Sequence, residues 1–186
     1  MPEPLVHPDP AVGWTVEDLN DIPDDGFRHE ILDGNLLLSL PPDNHHFDVA
    51  DLVADLLKRQ TPAGLRASAA GAGVRIRGGH TYFIPDVIVV RQSGIRRGNG
   101  LQPADVLLVV EVLSPSNART DLVLKRHDYA AEGIPAYWIV DPEKQVLTVL
   151  EHDGGEHYTE VAVVSPGETF TTETPFPISI DPAEIF

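Results

Sequence analysis

The sequence predicts a single α/β (α+β) domain, with a mixed β-sheet flanked by helices and an N-terminal hairpin. Residues 43–60 have the apolar spacing of an amphipathic helix, and short strand-like runs lie on both sides of it. Val106–Val112 is apolar almost without alternation, and a second helix pattern and another strand follow it. This succession predicts a βαβ unit inside the sheet.

The first residues are predicted to be extended, and the domain is predicted to begin after them. Residues 1–13 contain four prolines and no apolar periodicity. Residues 14–186 contain no repeat and no linker, so they are expected to form one domain. Thr15 is a candidate N-cap for a short helix over Val16–Asn20.

A β-hairpin is predicted next, followed by the clearest helix. Asp33-Gly34 lies between the runs His29–Leu32 and Asn35–Leu40 and favours a type I′ turn, whose central residues both need positive φ. The helix covers Asp43–Gln60, and Pro62 and Gly64 follow its end. Its predicted apolar face consists of Val49, Leu52, Val53, Leu56 and Leu57.

Four strands are predicted after this helix, the last of them in the centre of the sheet. They are Leu65–Ala69, Val74–Arg77, Asp86–Val90 and Val106–Val112. A loop over residues 91–104, rich in Gly, Arg and Asn, separates the last two. The near absence of polar residues in Val106–Val112 is typical of a strand buried on both faces.

A second helix and three more strands complete the prediction. Thr120 or Asp121 can cap a helix that runs to about Glu132 and ends before Gly133 and Pro135. The strands that follow are Ala136–Val140, Val146–Leu150 and His157–Val164.

Composition excludes several classes of site. The chain has 186 residues and no cysteine, which removes disulfides, thiolate metal sites and cysteine nucleophiles. No apolar run approaches the ~20 residues needed to span a bilayer, and the N-terminus lacks the features of a signal peptide. We therefore expect a soluble, cytoplasmic protein with no membrane partner.

The distribution of charge indicates an anionic partner for the middle of the chain. The net charge is −16, which taken alone argues against a nucleic acid. Residues 61–130, however, hold nine of the thirteen basic residues against five acidic ones, a local balance of +4. Ordinary surface arginines beside acidic flanks are the alternative explanation.

Two carboxylates are predicted to meet at one edge of the sheet. Asp86 begins one strand and Glu111 lies near the end of the next. If these strands are antiparallel, the start of the first lies beside the end of the second. A carboxylate that follows four apolar residues is rarely buried without a cation or a hydrogen-bond partner. Mg²⁺ suits the pair, because it takes one or two carboxylates and several waters.

Lys125 is the candidate cationic residue of this site. It shares one face of the second predicted helix with Leu122 and Tyr129, and that face is expected to pack on the sheet. An ammonium group at its margin could hold the attacking water and stabilise charge on a phosphate. The alternative is a lysine that reaches solvent and pairs with Asp121 or Asp128.

An ordered series of motifs runs from about residue 15 to the C-terminus. It consists of His29–Gly34, His46, Pro85-Asp86-Val87, Val110–Ser116, Asp121, Lys125, Tyr129, Gly133-Ile134-Pro135, Tyr137-Trp138 and Val140-Asp141-Pro142. In this order the motifs resemble the Uma-two family of restriction endonucleases. The resemblance implies the restriction-endonuclease-like core of the PD-(D/E)xK superfamily, whose members mostly cut nucleic acid with Mg²⁺ or Mn²⁺.

The resemblance also implies roles for individual residues. Asp86 and Glu111 would supply the first two elements of the motif and hold the metal. Leu113, not lysine, stands two residues after Glu111, so the lysine would come from the helix as Lys125. Glu30, ahead of the Asp-Gly turn, becomes a candidate further metal ligand or water-orienting carboxylate, with an exposed hairpin glutamate as the alternative.

Four basic residues are candidate substrate contacts. His46 matches the family's helix start, although a packing or capping role is the alternative. Arg91, Arg96 and Arg97 lie in the glycine-bearing loop, and guanidinium groups suit backbone phosphates. A solvated loop is the alternative for all three.

The predicted function is that of a Mg²⁺-dependent endonuclease acting on DNA. A homodimer is the expected assembly, because cutting two strands takes two sites or one site used twice. The alternative is a binding or assembly module that keeps the nuclease fold without turnover. Leu113 in place of the lysine and the net charge of −16 favour that alternative.

Overall fold

The computed structural model describes residues 8, 11–69, 72–96, 98, 100–114 and 120–186. Most of the segment predicted to be extended, residues 1–13, therefore lies outside the described residues, and so does Arg97. Within the described ranges the chain forms two α-helices and twelve β-strands.

The helices are α1 (Asn44–Gln60) and α2 (Thr120–Ala131). The strands are β1 (Arg28–Leu32), β2 (Asn35–Ser39), β3 (Leu65–Ala69), β4 (Val74–Ile76), β5 (Thr81–Phe83), β6 (Val87–Arg91), β7 (Val106–Val112), β8 (Ala136–Asp141), β9 (Val146–His152), β10 (Tyr158–Val164), β11 (Phe170–Thr172) and β12 (Ile178–Ile180). None of the helices in the described part of the chain is long and apolar enough to cross a membrane.

The main sheet has six strands among the described residues, in the order β10-β9-β8-β7-β6-β3. All seven residues of β7 are buried, as its continuous apolar run predicted. Strand β7 pairs parallel with β8, and α2 connects the two, so the predicted βαβ unit is confirmed. Strand β6 pairs antiparallel with β7.

The predicted hairpin is confirmed and belongs to a second, four-stranded sheet. Its order is β2-β1-β5-β4, with antiparallel pairs throughout. Asp33 (φ 46°) and Gly34 (φ 74°) occupy the turn, both with the positive φ that a type I′ turn needs. Strand β5, which joins the hairpin to β4, was absent from the prediction because its three residues give no periodic signal.

Helix α1 packs on one face of the main sheet, and its start is fixed by Asp43. The Asp43 carboxylate accepts a hydrogen bond of 2.9 Å from the backbone N–H of His46. The assignment of Leu52 to the apolar face was wrong, since it is exposed while Ala50 and Ala54 are buried. Successive residues of an α-helix are rotated by about 100° around its axis, which places Leu52 about 120° from the centre of the face formed by the buried residues of α1.

The other face of the main sheet is covered by α2 and the small sheet. Tyr129 and Ala130 of α2 share a core with Val74, Ile76 and Phe83. The site described below lies where these elements meet the ends of strands β6 and β7 in the main sheet.

The predicted cap at Thr15 was wrong. The structure has a 3₁₀ turn over Asp18–Asp21 instead of a helix over Val16–Asn20. The Thr15 hydroxyl and N–H both donate to the Asp18 carboxylate, at 2.7 and 2.8 Å. Pro23 also limits how far a helix could extend.

Removal of the Asp43 cap is expected to destabilise the protein. Asp43→Ala leaves the His46 N–H without its acceptor, at a cost of about 1 kcal/mol in the free energy of unfolding. Urea denaturation followed by circular dichroism measures the change. Asp51→Ala, on the exposed face of α1, is the matched control, and equal midpoints for the two variants would contradict the capping role.

Candidate active site

Four charged side chains converge where two central strands of the main sheet, β6 and β7, begin and end. Glu30 belongs to β1, Asp86 immediately precedes β6, Glu111 lies near the end of β7, and Lys125 belongs to α2. Each is at most 8% exposed. Burial of this many charges is unusual and costs free energy unless they are paired, so their mutual contacts decide what the site can do.

The strand register explains why Asp86 and Glu111 meet. Val87 pairs with Val110, so the next pair along the antiparallel ladder joins the positions of Asp86 and Glu111. Val110 and Val112 face the core under α1, and Val109 faces the core under α2. Alternation therefore turns Glu111 toward α2 and the small sheet.

The Asp86 carboxylate is held by three donors. Its Oδ2 atom accepts a hydrogen bond of 2.8 Å from the Val112 N–H and lies 3.2 Å from His46 Nε2. His46 Nε2 also lies 3.1 Å from the Val112 carbonyl oxygen, so this nitrogen carries a proton that two acceptors share. The Oδ1 atom lies 3.1 Å from Arg28 Nη1.

Lys125 joins Glu111 to Glu30. Its Nζ atom lies 3.3 Å from Glu111 Oε1 and 3.1 Å from Glu30 Oε1. Glu30 Oε1 also accepts a hydrogen bond of 2.7 Å from the Ile84 N–H. The Tyr129 hydroxyl donates to Glu111 Oε1 at 3.3 Å. Of the two alternative partners considered for Lys125, Asp128 pairs with Arg77 instead, and the side chain of Asp121 lies outside the described part of the structure.

The environments of the two metal-ligand candidates shift their pKa values in opposite directions. Burial raises the pKa of Glu111 to about 8, and the charge of Asp86 adds to the increase while Lys125 opposes it. Burial also tends to raise the pKa of Asp86, but the hydrogen bond from His46 and the charge of Arg28 lower it overall. Two neighbouring carboxylates with separated pKa values are typical of functional sites.

The donor set fits a hard divalent cation. Among the described residues, no group of three or more His, Asp or Glu side chains is placed to hold a metal ion, so a bound cation would take at most two protein carboxylates, for which Asp86 and Glu111 are the candidates. Mg²⁺ and Mn²⁺ accept this arrangement, with water completing the coordination. Burial raises the pKa of Glu111 to about 8 in metal-free protein, and a cation bound beside the carboxylate would favour its deprotonated form.

A comparison with protein families agrees with the motifs. The family model Uma2, described as "Putative restriction endonuclease", matches residues 16–183. The chain belongs to this family. No curated protein shows significant similarity to it.

A solved structure shares the fold of this Uma2-family chain. It is described as "a putative nuclease belonging to DUF820", from Anabaena variabilis. The TM-score is 0.69 at 18% sequence identity, over 93% of this chain and 97% of that one. At this identity the likeness establishes the fold, and the mixed sheet with flanking helices is a restriction-endonuclease-like core.

Two of the predicted substrate contacts lie away from the Uma2-family site. Arg91 ends β6, four residues beyond Val87, and is exposed beside Leu65 at the opposite end of the strand from Asp86. Arg96 lies in the loop that follows, also exposed. The structure therefore does not bring these arginines to the carboxylates, whereas it does bring His46. Arg97 lies outside the described residues.

Arg28 and the Tyr129 hydroxyl belong to the site but were not predicted as site residues. Arg28 lies two residues before Glu30 on β1, so the two side chains point to the same face. That period-2 relation was available in the sequence once Glu30 had been chosen. Tyr129 was assigned to the face that carries Lys125, but a tyrosine on a core-facing stripe gives no signal that its hydroxyl meets a carboxylate.

Glu111→Gln is expected to flatten the pH dependence of stability in metal-free protein. Because the pKa of Glu111 rises from 4.5 to about 8 on folding, the native state retains a proton that the unfolded chain loses within that interval. Stability therefore falls as pH rises from 5 to 8, by up to about 1.4 kcal/mol per pH unit. Denaturant unfolding in EDTA at several pH values measures the slope.

Other groups do not obscure this test. The pKa of His46 is raised by Asp86 in spite of burial, so its contribution also declines as pH rises, but it is present in both proteins. The pKa of Asp86 is lowered on folding, so its titration changes stability only below about pH 5. Glu160→Gln, at an exposed strand position, is the control, and a slope for Glu111→Gln equal to that of the wild type would contradict the assignment.

Proposed function

We propose that this Uma2-family protein is a nuclease that hydrolyses phosphodiester bonds of DNA with Mg²⁺ or Mn²⁺. The observation that carries the proposal is the contact of Lys125 Nζ with Glu111 and Glu30, at 3.3 and 3.1 Å, beside Asp86. Leu113, two residues after Glu111, has no ammonium group. Lys125 supplies that group from α2 instead.

Asp86 and Glu111 are the residues that would hold the metal ion. When bound, a divalent cation supplies Lewis-acid stabilisation of the charge that develops on the scissile phosphate. The Val112 N–H and His46 fix the Asp86 carboxylate through Oδ2, and the Tyr129 hydroxyl and Lys125 orient the Glu111 carboxylate through Oε1. These contacts keep both ligands in one geometry before any ion arrives.

Lys125 is the group that acts on water and phosphate in this proposal. Its ammonium group has three N–H donors and forms ion pairs with Glu111 and Glu30. The ammonium group holds the attacking water near the phosphate and stabilises the negative charge of the transition state. Glu30, whose Oε1 atom is tied to the Ile84 N–H, sets the position of Lys125.

The charge distribution supports a nucleic-acid substrate. Asp86, Glu111 and Lys125 all lie within residues 61–130, the part of the sequence where nine basic residues exceed five acidic ones. Basic residues attract the phosphate backbone, and the acidic remainder of the chain keeps the protein in solution. Since Arg91 and Arg96 lie away from the carboxylates, this attraction would act on nucleic acid around the site and not within it. A cytoplasmic location, also proposed here, is compatible with a DNA substrate and with the absence of cysteine.

One observation favours the second candidate function, a nuclease-fold binding module without turnover. Arg28 lies against Oδ1 of Asp86, where it partly neutralises a carboxylate that a metal ion would need. A permanent Arg28–Asp86 pair would leave the fold intact and the site silent.

Lys125→Met and Asp86→Asn are each expected to reduce cleavage at least about 100-fold, because each removes charge that the transition state requires. The assay incubates purified protein with Mg²⁺ or Mn²⁺ and separate DNA and RNA substrates. Lys58→Met, an exposed lysine paired with Asp55 on α1, is the matched control. Wild-type rates in either site variant would exclude this site, and a wild-type protein that neither cleaves nor binds metal would favour the binding module.

We infer that the expected homodimer forms through β2. This strand is an edge of the small sheet, and among the described residues its outer side has no strand partner. Asn35–Ser39 contains no charge and no proline, the usual protections of an edge, and Leu38 is 57% exposed. An antiparallel pair about Leu37 would join Leu36 to Leu38 of a second copy. Edge strand β10, by contrast, is interrupted by an irregularity between Glu160 and Ala162.

Leu38→Lys is expected to give a monomer, because it places a charge opposite Leu36 in each half of the pair. Size-exclusion chromatography with light scattering gives the mass. Val163→Lys, an equally exposed apolar position on β10, is the control and is expected to stay dimeric. A wild-type monomer, or a Leu38→Lys dimer, would contradict pairing through β2.

A further inference from the structure

Arg28 lies within the carboxylate cluster, although the proposed chemistry gives it no task. It faces the same side of β1 as Glu30, and its side chain is 20% exposed. Its Nη1 atom lies 3.1 Å from Asp86 Oδ1. With Lys125, it is one of two permanent cations that oppose the three carboxylates of Glu30, Asp86 and Glu111.

The guanidinium group of Arg28 is only partly satisfied in this position. Its Nε and Nη2 atoms are buried and have no hydrogen-bond partner among the described residues. An arginine matched to a single carboxylate uses two nitrogen atoms against two oxygen atoms. Arg28 uses only one of its nitrogen atoms, Nη1, against Asp86. Buried N–H donors without a hydrogen-bond partner cost free energy. The summed charge of the three carboxylates, more than hydrogen bonding, therefore holds Arg28 in place.

The contacts of Asp86 define where an ion could approach it. Its Oδ2 atom is committed to the Val112 N–H and His46. Its Oδ1 atom meets Arg28. On the neighbouring carboxylate, Glu111 Oε1 meets Lys125 and Tyr129. A cation that reaches Asp86 through Oδ1 therefore comes against the guanidinium group, and two positive charges at one oxygen repel each other strongly in a buried site.

We propose that Arg28 is the built-in counter-cation of the Asp86–Glu111 pair and that a divalent metal ion competes with it for Oδ1 of Asp86. The proposal rests on the metal-dependent function proposed above. In metal-free protein Arg28 keeps the carboxylates together; when the ion binds, the guanidinium group leaves Oδ1. Arg28 thus sets the metal affinity of the site and is a positioning residue that makes no contact with the ion.

The test compares Mn²⁺ binding by the wild type, Arg28→Gln and Arg28→Lys, measured by isothermal titration calorimetry on the full chain. Removal of the positive charge in Arg28→Gln is expected to tighten Mn²⁺ binding on the order of tenfold, while Arg28→Lys keeps the charge and stays near the wild-type value. The melting temperature of Arg28→Gln should fall in EDTA and recover more than that of the wild type on addition of Mn²⁺.

Two control variants test whether the change in Mn²⁺ affinity arises at the Arg28–Asp86 contact. Arg75→Gln removes another half-buried arginine, one paired with Glu17, and should leave Mn²⁺ affinity unchanged. Asp86→Asn should abolish binding with Arg28 present or replaced. Equal or weaker Mn²⁺ binding by Arg28→Gln, with binding retained by the wild type, would overturn the competition and leave the proposed nuclease function standing. Failure of both proteins to bind Mn²⁺ would overturn the metal-dependent function as well.

A measurement on the wild type avoids dependence on the fold of a variant. The Nε–H group of Arg28 is buried, so its proton should exchange slowly enough to appear in a ¹⁵N-resolved NMR spectrum of metal-free protein. Saturation with Mg²⁺ should shift that signal or remove it by exposure to solvent. An unchanged Arg28 signal at saturating Mg²⁺ would overturn the proposal.

Discussion

The site depends on one electrostatic constraint: three carboxylates are buried together between the ends of central strands β6 and β7 and the small sheet, with too few cations to match them. Glu30, Asp86 and Glu111 face Arg28 and Lys125, and the deficit is met by a proton, since burial raises the pKa of Glu111 to about 8. A buried charge of this kind is costly without compensation. This imbalance of charge is the physical argument for the proposed metal site.

The constraint also explains why the small sheet belongs to the site and is more than a cover for the core. Strand β1 contributes Arg28 and Glu30 from one face, and the Ile84 N–H, which follows β5, fixes Glu30. The hairpin can hold these side chains only while it is docked on β5, where Ile31 pairs with Tyr82. The geometry of the charged cluster and the attachment of the hairpin are thus coupled.

The position of the lysine on a helix has a physical explanation. The residue two places after Glu111 lies beyond β7, where the Leu113 N–H donates to the Val140 carbonyl oxygen and continues the pairing with β8. Lys125 reaches the same carboxylate from α2, and its ammonium group lies 5.4 Å from the centre of the Phe83 ring. The aromatic face and two carboxylates give the buried ammonium group an environment in which its charge is stabilised.

The sequence by itself determined the local elements and the identity of the charged residues. Helical spacing predicted α1, a continuous apolar run predicted β7, and the Asp33-Gly34 turn predicted the hairpin. The positions of Asp86 at the start of one strand and Glu111 near the end of the next singled out these two carboxylates. Short strands such as β5, β11 and β12 carry too few residues for a periodic signal, so they were missed. Only the tertiary structure decided the remaining contacts: it placed Arg28 on Asp86, the Tyr129 hydroxyl on Glu111 and Arg91 at the far end of β6. Those contacts depend on register and on the docking of one sheet on another, which are long-range outcomes of packing that no local pattern encodes.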